Sequence, residues 1–254
     1  MNKSSIAAIV AISVVAGAGS AMADDWSGLY GGVVIGGQAG TERKVQTVGT
    51  TAFRNLTPNI APTQLKTKLE GISYGVVGGY NFHDGGALVW GVEGDLMGGG
   101  DSKPASFSGA PIAGLAPAGI TTSARNEYGV RGSLRGRLGA AISDSVLVYG
   151  AGGLAVAKVE TKASVVANGA PTVLWTGARK DTLTGWTLGV GTEVKLGDSI
   201  TLRAEYLYND LGKVTVTAAG NSTVRGIAAL NGIDYVARTE YKGGEVRLGV
   251  ATRF

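Results

Sequence analysis

From Glu245 to Phe254 the side chains alternate with period two. Val246, Leu248, Val250, Thr252 and Phe254 share one face, and Glu245, Arg247, Ala251 and Arg253 share the other. That period belongs to an extended strand, whose successive Cβ atoms point to opposite faces. Apolar side chains on one face with ionic groups on the other suit a strand standing between hydrocarbon and a polar lumen, as in a transmembrane β-barrel. A soluble edge strand reads the same way over five residues, so the distinction rests on whether the pattern repeats along the chain.

The pattern does repeat. Val130, Leu134 and Leu138 alternate with Arg131, Ser133, Arg135 and Arg137. Ile200, Leu202, Ala204, Tyr206 and Tyr208 alternate with Thr201, Arg203 and Glu205. Leu88, Trp90, Val92 and Leu96 oppose Glu93 and Asp95, and Trp186, Leu188, Val190 and Val194 oppose Glu193 and Lys195. One stretch is ambiguous, because both Val146/Val148 and Leu147/Tyr149 are apolar.

Three short clusters, His83 to Gly86, Ser143 to Ser145 and Gly197 to Ser199, punctuate these runs as tight turns. Four longer stretches, near 45–68, 102–124, 162–181 and 218–235, are rich in Ala, Thr, Asn, Gly and Pro and read as loops. Pro58, Pro62, Pro104, Pro111, Pro117 and Pro171 all fall within them. A continuous ladder requires that segregation, because proline cannot donate to it. The remaining stretches give eight strands, near 27–41, 69–83, 86–100, 125–142, 145–160, 182–196, 199–216 and 236–254. The predicted fold is all-β: an eight-stranded antiparallel up-and-down transmembrane barrel, with short turns in the periplasm and long loops outside.

The beginning of the chain predicts export. Lys3 precedes an apolar run from Ile6 to Ala18, and Ala21 and Ala23 offer small residues for a signal peptidase. The run falls short of the roughly 20 apolar residues that span a bilayer. The expected organisation is a cleaved signal peptide over 1–23 and one outer-membrane barrel domain over 24–254. The 43 glycines, without the period of collagen, sit inside strand-like runs, where they permit sharp coiling and close backbone approach. Trp90, Phe82, Tyr30 and Phe254 are expected in a periplasmic aromatic girdle, and Trp186, Tyr208 and Tyr241 in an outer one.

The predicted inward set is charged. It holds Arg131, Arg135, Arg137, Lys195, Arg203, Arg247 and Arg253 against Glu93, Asp95, Glu193, Glu205 and Glu245. An eight-stranded ring is only wide enough for side chains to fill it. These groups are therefore expected to pair as a network that plugs the lumen; a narrow, anion-favouring pore is the alternative. A catalytic role finds little support. The single histidine, His83, lies at a turn beside Asp84, and no Cys/His spacing for a metal occurs. No cofactor is expected. The formal charge of +4 is compatible with nucleic-acid binding, which export makes the weaker reading. In and beside the first loop, Arg43, Lys44, Lys66 and Lys68 are candidates for contact with lipopolysaccharide phosphates.

Seven segments in order resemble the small outer-membrane β-barrels of alpha-proteobacterial surface antigens, the porin-family type. They begin at Trp26 to Gly32, Trp90 to Asp95 and Val130 to Gly139. They continue through Tyr149 to Ala155, Gly185 to Glu193, Leu202 to Tyr208 and Val246 to Phe254. The resemblance covers seven of the eight predicted strands, all but the one near 69–83, and none of the long loops. It implies a cell outer-membrane location, a surface-antigen character, and reading of Phe254 by the barrel-insertion machinery. It implies no single activity. The function expected is structural support and surface display, with loop-mediated contacts to a host or neighbouring cell; passive diffusion of small solutes is the alternative. A soluble lipocalin-like carrier would also have eight strands, but would need Val130, Leu134 and Leu138 inside and the arginines in water.

Overall fold

In the computed structural model, which describes residues 26–39, 42–47, 51–56, 61–68, 71–83, 85–100, 104–114, 116–169 and 173–254, the alternating stretches form ladders. In chain order the strands are β1 (Gly28–Ala39), β2 (Glu42–Thr47), β3 (Gln64–Lys68), β4 (Ile72–His83), β5 (Leu88–Gly99) and β6 (Ala105–Gly109). They continue as β7 (Ile120–Ser143), β8 (Val146–Ala167), β9 (Leu174–Leu196), β10 (Ile200–Gly220) and β11 (Tyr235–Arg253). Two short helices, α1 (Thr51–Leu56) and α2 (Ser222–Gly226), lie in the first and last long connections. Among the described residues, β1, β4, β5, β7, β8, β9, β10 and β11 pair in sequence, all antiparallel. The ring closes where β11 meets β1, from Tyr30 opposite Arg253 to Ala39 opposite Gly244. The expected signal segment 1–23 lies outside the described residues.

The lower wall, toward the short turns, carries apolar side chains outward. Val130, Leu134, Leu138, Leu188, Val190, Leu202, Leu248 and Val250 are all exposed, while Arg131, Arg135, Arg137, Arg203 and Arg247 are buried. This arrangement is the inverse of a lipocalin-like carrier. It makes a belt of hydrocarbon-facing surface that water would not tolerate on this scale. The ambiguous strand resolves as well: Leu147 and Tyr149 point inward, and Val148 points outward.

Four strands run past their expected ends. β7, β8, β9 and β10 are 24, 22, 23 and 21 residues long, and they extend into stretches read from sequence as loops. Along β8 the side-chain parity never slips, yet the outward face changes from apolar to charged. Beyond Val156 the outward residues become Lys158, Glu160 and Lys162, and the inward ones become Val159, Thr161, Ala163 and Val165. The upper wall is thus a soluble-type sheet, apolar inside and polar outside.

The first two long connections also contribute strands. β2 and β3 form a hairpin that pairs with β11 through Val45 to Thr47, above the point where β1 leaves it. β6 pairs with the top of β7, above β5. The upper tier therefore takes β2, β3 and β6 in place of β1, β4 and β5. Its interior is one apolar cluster that includes Phe53, Leu65, Ile120, Val165, Trp175, Val214, Val224, Tyr235 and Tyr241. Phe53 meets Trp175 edge-on at 5.7 Å and Tyr235 at 5.3 Å. Trp175 Nε1 donates to the Ile233 carbonyl at 2.9 Å, so the burial of its ring leaves that polar atom satisfied.

The aromatic girdles need two corrections. Phe82 and Trp90 stack at 4.1 Å on the outer wall near the short turns, and Trp186 lies 5.6 Å from Tyr208 farther up. Tyr30 and Tyr241, however, are 4% and 0% exposed, inside the barrel. Each occupies an inward-facing position, and each finds a polar partner for its hydroxyl there, which removes the main cost of burying it.

Candidate functional site

The described structure brings the predicted inward charges together in the lower lumen. At the centre is Glu93 of β5. Its Oε2 accepts from the Tyr30 hydroxyl at 2.7 Å and pairs with Arg203 at 2.8 Å and Arg137 at 3.3 Å, while Oε1 pairs with Arg135. Arg135 also reaches Asp95 at 3.3 Å and Glu205 at 3.4 Å. Arg137 donates to Glu193 at 2.9 Å and lays its guanidinium 3.9 Å from the centre of the Tyr149 ring. The Tyr149 hydroxyl accepts from Arg203 and donates to Glu205, both at 3.0 Å.

A second node lies closer to the upper tier. Glu245 accepts from Arg131 at 2.5 Å, from Arg247 at 3.0 Å and from the Ser73 hydroxyl at 2.5 Å. Arg247 bridges to Asp95 at 3.3 Å, and Ser133 donates to the same carboxylate, which joins the two nodes. All eight strands of the ring supply a member. Five arginines and five carboxylates share this space, and planar guanidinium forks suit such multiple pairing.

Glycine makes room for the two tyrosines that sequence reasoning missed. A Cβ at Gly79 would lie 2.5 Å from the Tyr30 hydroxyl, and one at Gly191 would lie 2.5 Å from the Tyr149 ring. Both glycines stand directly across the ladder from network carboxylates, Gly79 from Glu93 and Gly191 from Glu205. The signal for this pairing was a glycine at an inward parity position on the neighbouring strand, legible only once register is known.

The short-turn end is closed by Trp26, also missed. Its ring is buried and lies 4.5 Å from Lys195 Nζ and 4.9 Å from the Arg253 guanidinium, in cation–π contact with both. Its backbone N–H donates to His83 Nδ1 at 3.2 Å, which leaves Nε2 to carry the proton and donate to the Gly86 carbonyl at 2.6 Å. His83 thus fastens the entering chain to the first short turn. Phe254 is partly exposed, and its N–H donates to the Leu29 carbonyl at 2.9 Å beside the closing seam.

The first-loop cations lie on the β2–β3 hairpin. Lys44 and Lys66 are exposed and stand directly opposite one another. The side chains of Arg43 and Lys68 lie outside the described residues.

A ring of strands with an apolar outer belt and ions inside is the architecture of proteins that cross the outer membrane. The sequence profile of the outer membrane protein beta-barrel domain matches residues 5–254. The chain belongs to that family. Relatives of this barrel include the 31 kDa outer-membrane immunogenic protein of Brucella melitensis, 34% identical over 148 residues, 58% of this chain and 57% of that protein. A 22 kDa outer membrane protein of Rhizobium leguminosarum is 29% identical over 176 residues, 69% of this chain and 63% of that one. The matches thus span less than two thirds of these relatives' lengths. Among solved structures, the outer membrane protein OprG of Pseudomonas aeruginosa aligns over 90% of this chain and 96% of its own, with TM-score 0.49 and 13% identity. The barrel is a small outer-membrane protein similar to those of alpha-proteobacteria, and its location is the outer membrane.

Proposed function

We propose that this barrel is a closed structural scaffold that strengthens the envelope and displays a folded cap at the cell surface for contact with host or neighbouring cells. The observation that carries the reading is a lumen filled at three successive levels: Trp26 between two cations, the arginine–carboxylate network, and the apolar core of the upper tier. Ion pairs packed between strands leave little room for hydrated solute, and an apolar constriction above them repels water. In this reading the short turns face the periplasm and the cap faces outward. The immunogenic character in the name of the Brucella relatives supports exposure of such a cap. Phe254 is assigned to recognition by the insertion machinery. No catalytic step and no cofactor belong to the proposal; His83, the one histidine, is engaged in holding Trp26.

The test is planar-bilayer recording of the refolded protein, with heat-modifiable gel migration as the check of folding. A heat-modifiable barrel without steady conductance supports the scaffold. Steady single-channel conductance would replace it with a narrow diffusion pore.

A further inference from the structure

The outward face of β7, β8 and β9 changes from apolar to charged, within two residues on β8. On β8, Leu154 and Val156 are 65% and 43% exposed, and the next outward side chains are Lys158, Glu160 and Lys162. The ladders set these in rows across three strands. Leu134, Leu154 and Trp186 make one row; farther along come Lys158 beside Thr182, then Glu127, Glu160 and Lys180, then Arg125, Lys162 and Ala178. Trp186 with Tyr208 marks the level where hydrocarbon gives way to headgroups. At about 3.3 Å per residue, Lys158 lies roughly 7 Å along the strand beyond Val156, the last apolar outward residue of β8. That offset matches the headgroup layer, which is about 5–8 Å thick on each side of the bilayer.

Four outward cations, Arg125, Lys158, Lys162 and Lys180, stand with two outward carboxylates, Glu127 and Glu160, an excess of two positive charges, while Arg179 and Asp181 occupy the inward parity of β9 opposite Thr161 and Val159. Arg125 is taken by Glu127 at 2.7 Å, Arg179 by Asp181 at 2.6 Å and Lys162 by Glu160 at 3.1 Å. Two cations stay available. Lys158 has no ion pair among the described residues, and Lys180, with its side chain 81% exposed, comes only within 3.9 Å of Glu160. Both border a surface cavity of about 410 Å³ lined also by Glu127, Gly129, Glu160, Asp181 and Thr182. On β10 and β11, by contrast, Lys213 and Lys242 are both held by Glu240, at 2.8 and 2.5 Å.

We infer that this wall of β7–β9 is a docking surface for the phosphorylated headgroup of an outer-leaflet lipid of the lipid A class, with Lys158 and Lys180 on its phosphates. The inference rests on the outward orientation of the cap proposed above. It puts headgroup contact on the barrel wall, not on the first-loop hairpin.

Native mass spectrometry of the refolded protein in detergent tests it, with two probes: bisphosphorylated lipid A and the same lipid stripped of its phosphates. The expected result is selective retention of the phosphorylated lipid, reduced at least tenfold by Lys158→Glu/Lys180→Glu, because each cation at an anionic surface contributes about fivefold. Lys44→Glu/Lys66→Glu should bind as the parent protein does. The neutral pair Lys158→Gln/Lys180→Gln gives the same direction of effect if charge reversal impairs insertion. Equal retention of both lipids, unchanged binding in the Lys158/Lys180 variants, or a loss confined to the hairpin variant would each overturn the inference. Conductance does not enter this readout, so a leaky lumen and a failed headgroup site would be told apart.

Discussion

At the scale of single residues, the centre of the lower lumen is a carboxylate, Glu93, that faces Arg135, Arg137 and Arg203. Pairing offsets the desolvation of these ions, so removing one partner costs more than the pair contributes, about 3–5 kcal/mol. Arg135→Met keeps much of the side-chain volume and deletes the charge that touches Glu93, Asp95 and Glu205. It is expected to lower the urea-unfolding stability of the refolded barrel by about that amount; an unchanged midpoint would mean that water already screens the network. The arginines and carboxylates of this layer were legible from period-two alternation alone. Tyr30 was not, because its position beside the chain's entry reads equally well as an interface aromatic, and only register reveals the empty space at Gly79. On the upper outer wall, hydrogen bonds from Lys213 and Lys242 hold the Glu240 carboxyl down to about 2. A lowered carboxylate stabilises the fold at pH values above its unfolded pKa, and that contribution is lost as pH falls through the folded one. An NMR titration of the Glu240 carboxyl in micelles should therefore find a midpoint near 2; an ordinary carboxylate midpoint would show that the two lysines point elsewhere.

At the scale of elements, β8 shows why half of the fold was easy to read and half was not. Alternation reports that a segment is extended, but the meaning of its faces depends on the surrounding solvent. Below Val156 the outside is hydrocarbon, and above it the outside is polar, headgroups and then water, so the outward residues become Lys158, Glu160 and Lys162 while Val159, Thr161 and Ala163 continue the inner face. A reading that expects apolar-outward strands ends the strand soon after that change, near residue 160, and names the remainder a loop. The same physics hid the β2–β3 hairpin, whose buried Val45 and Leu65 sit among residues typical of a polar connection. The helix α1 has six residues, too few for stability of its own, and its place depends on the Phe53 ring packed on Trp175 and Tyr235. Phe53→Ala is expected to cost about 3–5 kcal/mol of cap packing. Limited proteolysis of the variant should cut between residues 51 and 68 while heat-modifiability persists. Resistance equal to that of the parent would show that the hairpin's ladder to β11 suffices to hold the first connection.

At the scale of the whole molecule, the two tiers are plugs in series, each made from what its own surroundings favour. The lower tier faces lipid outside, so its inner face is where the charges can find partners; the upper tier faces water outside, so its inner face takes the apolar residues. Conductance through plugs in series is set by the tighter one. Arg131→Ala/Arg137→Ala removes two cations from the ionic layer but leaves Trp175, Tyr235 and Tyr241 packed above it, and the variant is expected to stay silent in a planar bilayer. Truncating the upper core instead, by Trp175→Ala/Tyr241→Ala, leaves the paired ions below and should also stay silent. Combining the four substitutions with Trp26→Ala removes these barriers together with the one at the short-turn end, and steady openings are expected only then, with heat-modifiability showing that the ring itself persists. Openings in the Arg131/Arg137 variant alone would show that water already passes beside the apolar tier. The ionic layer would then be the only gate, and closure by two independent tiers would have to be abandoned.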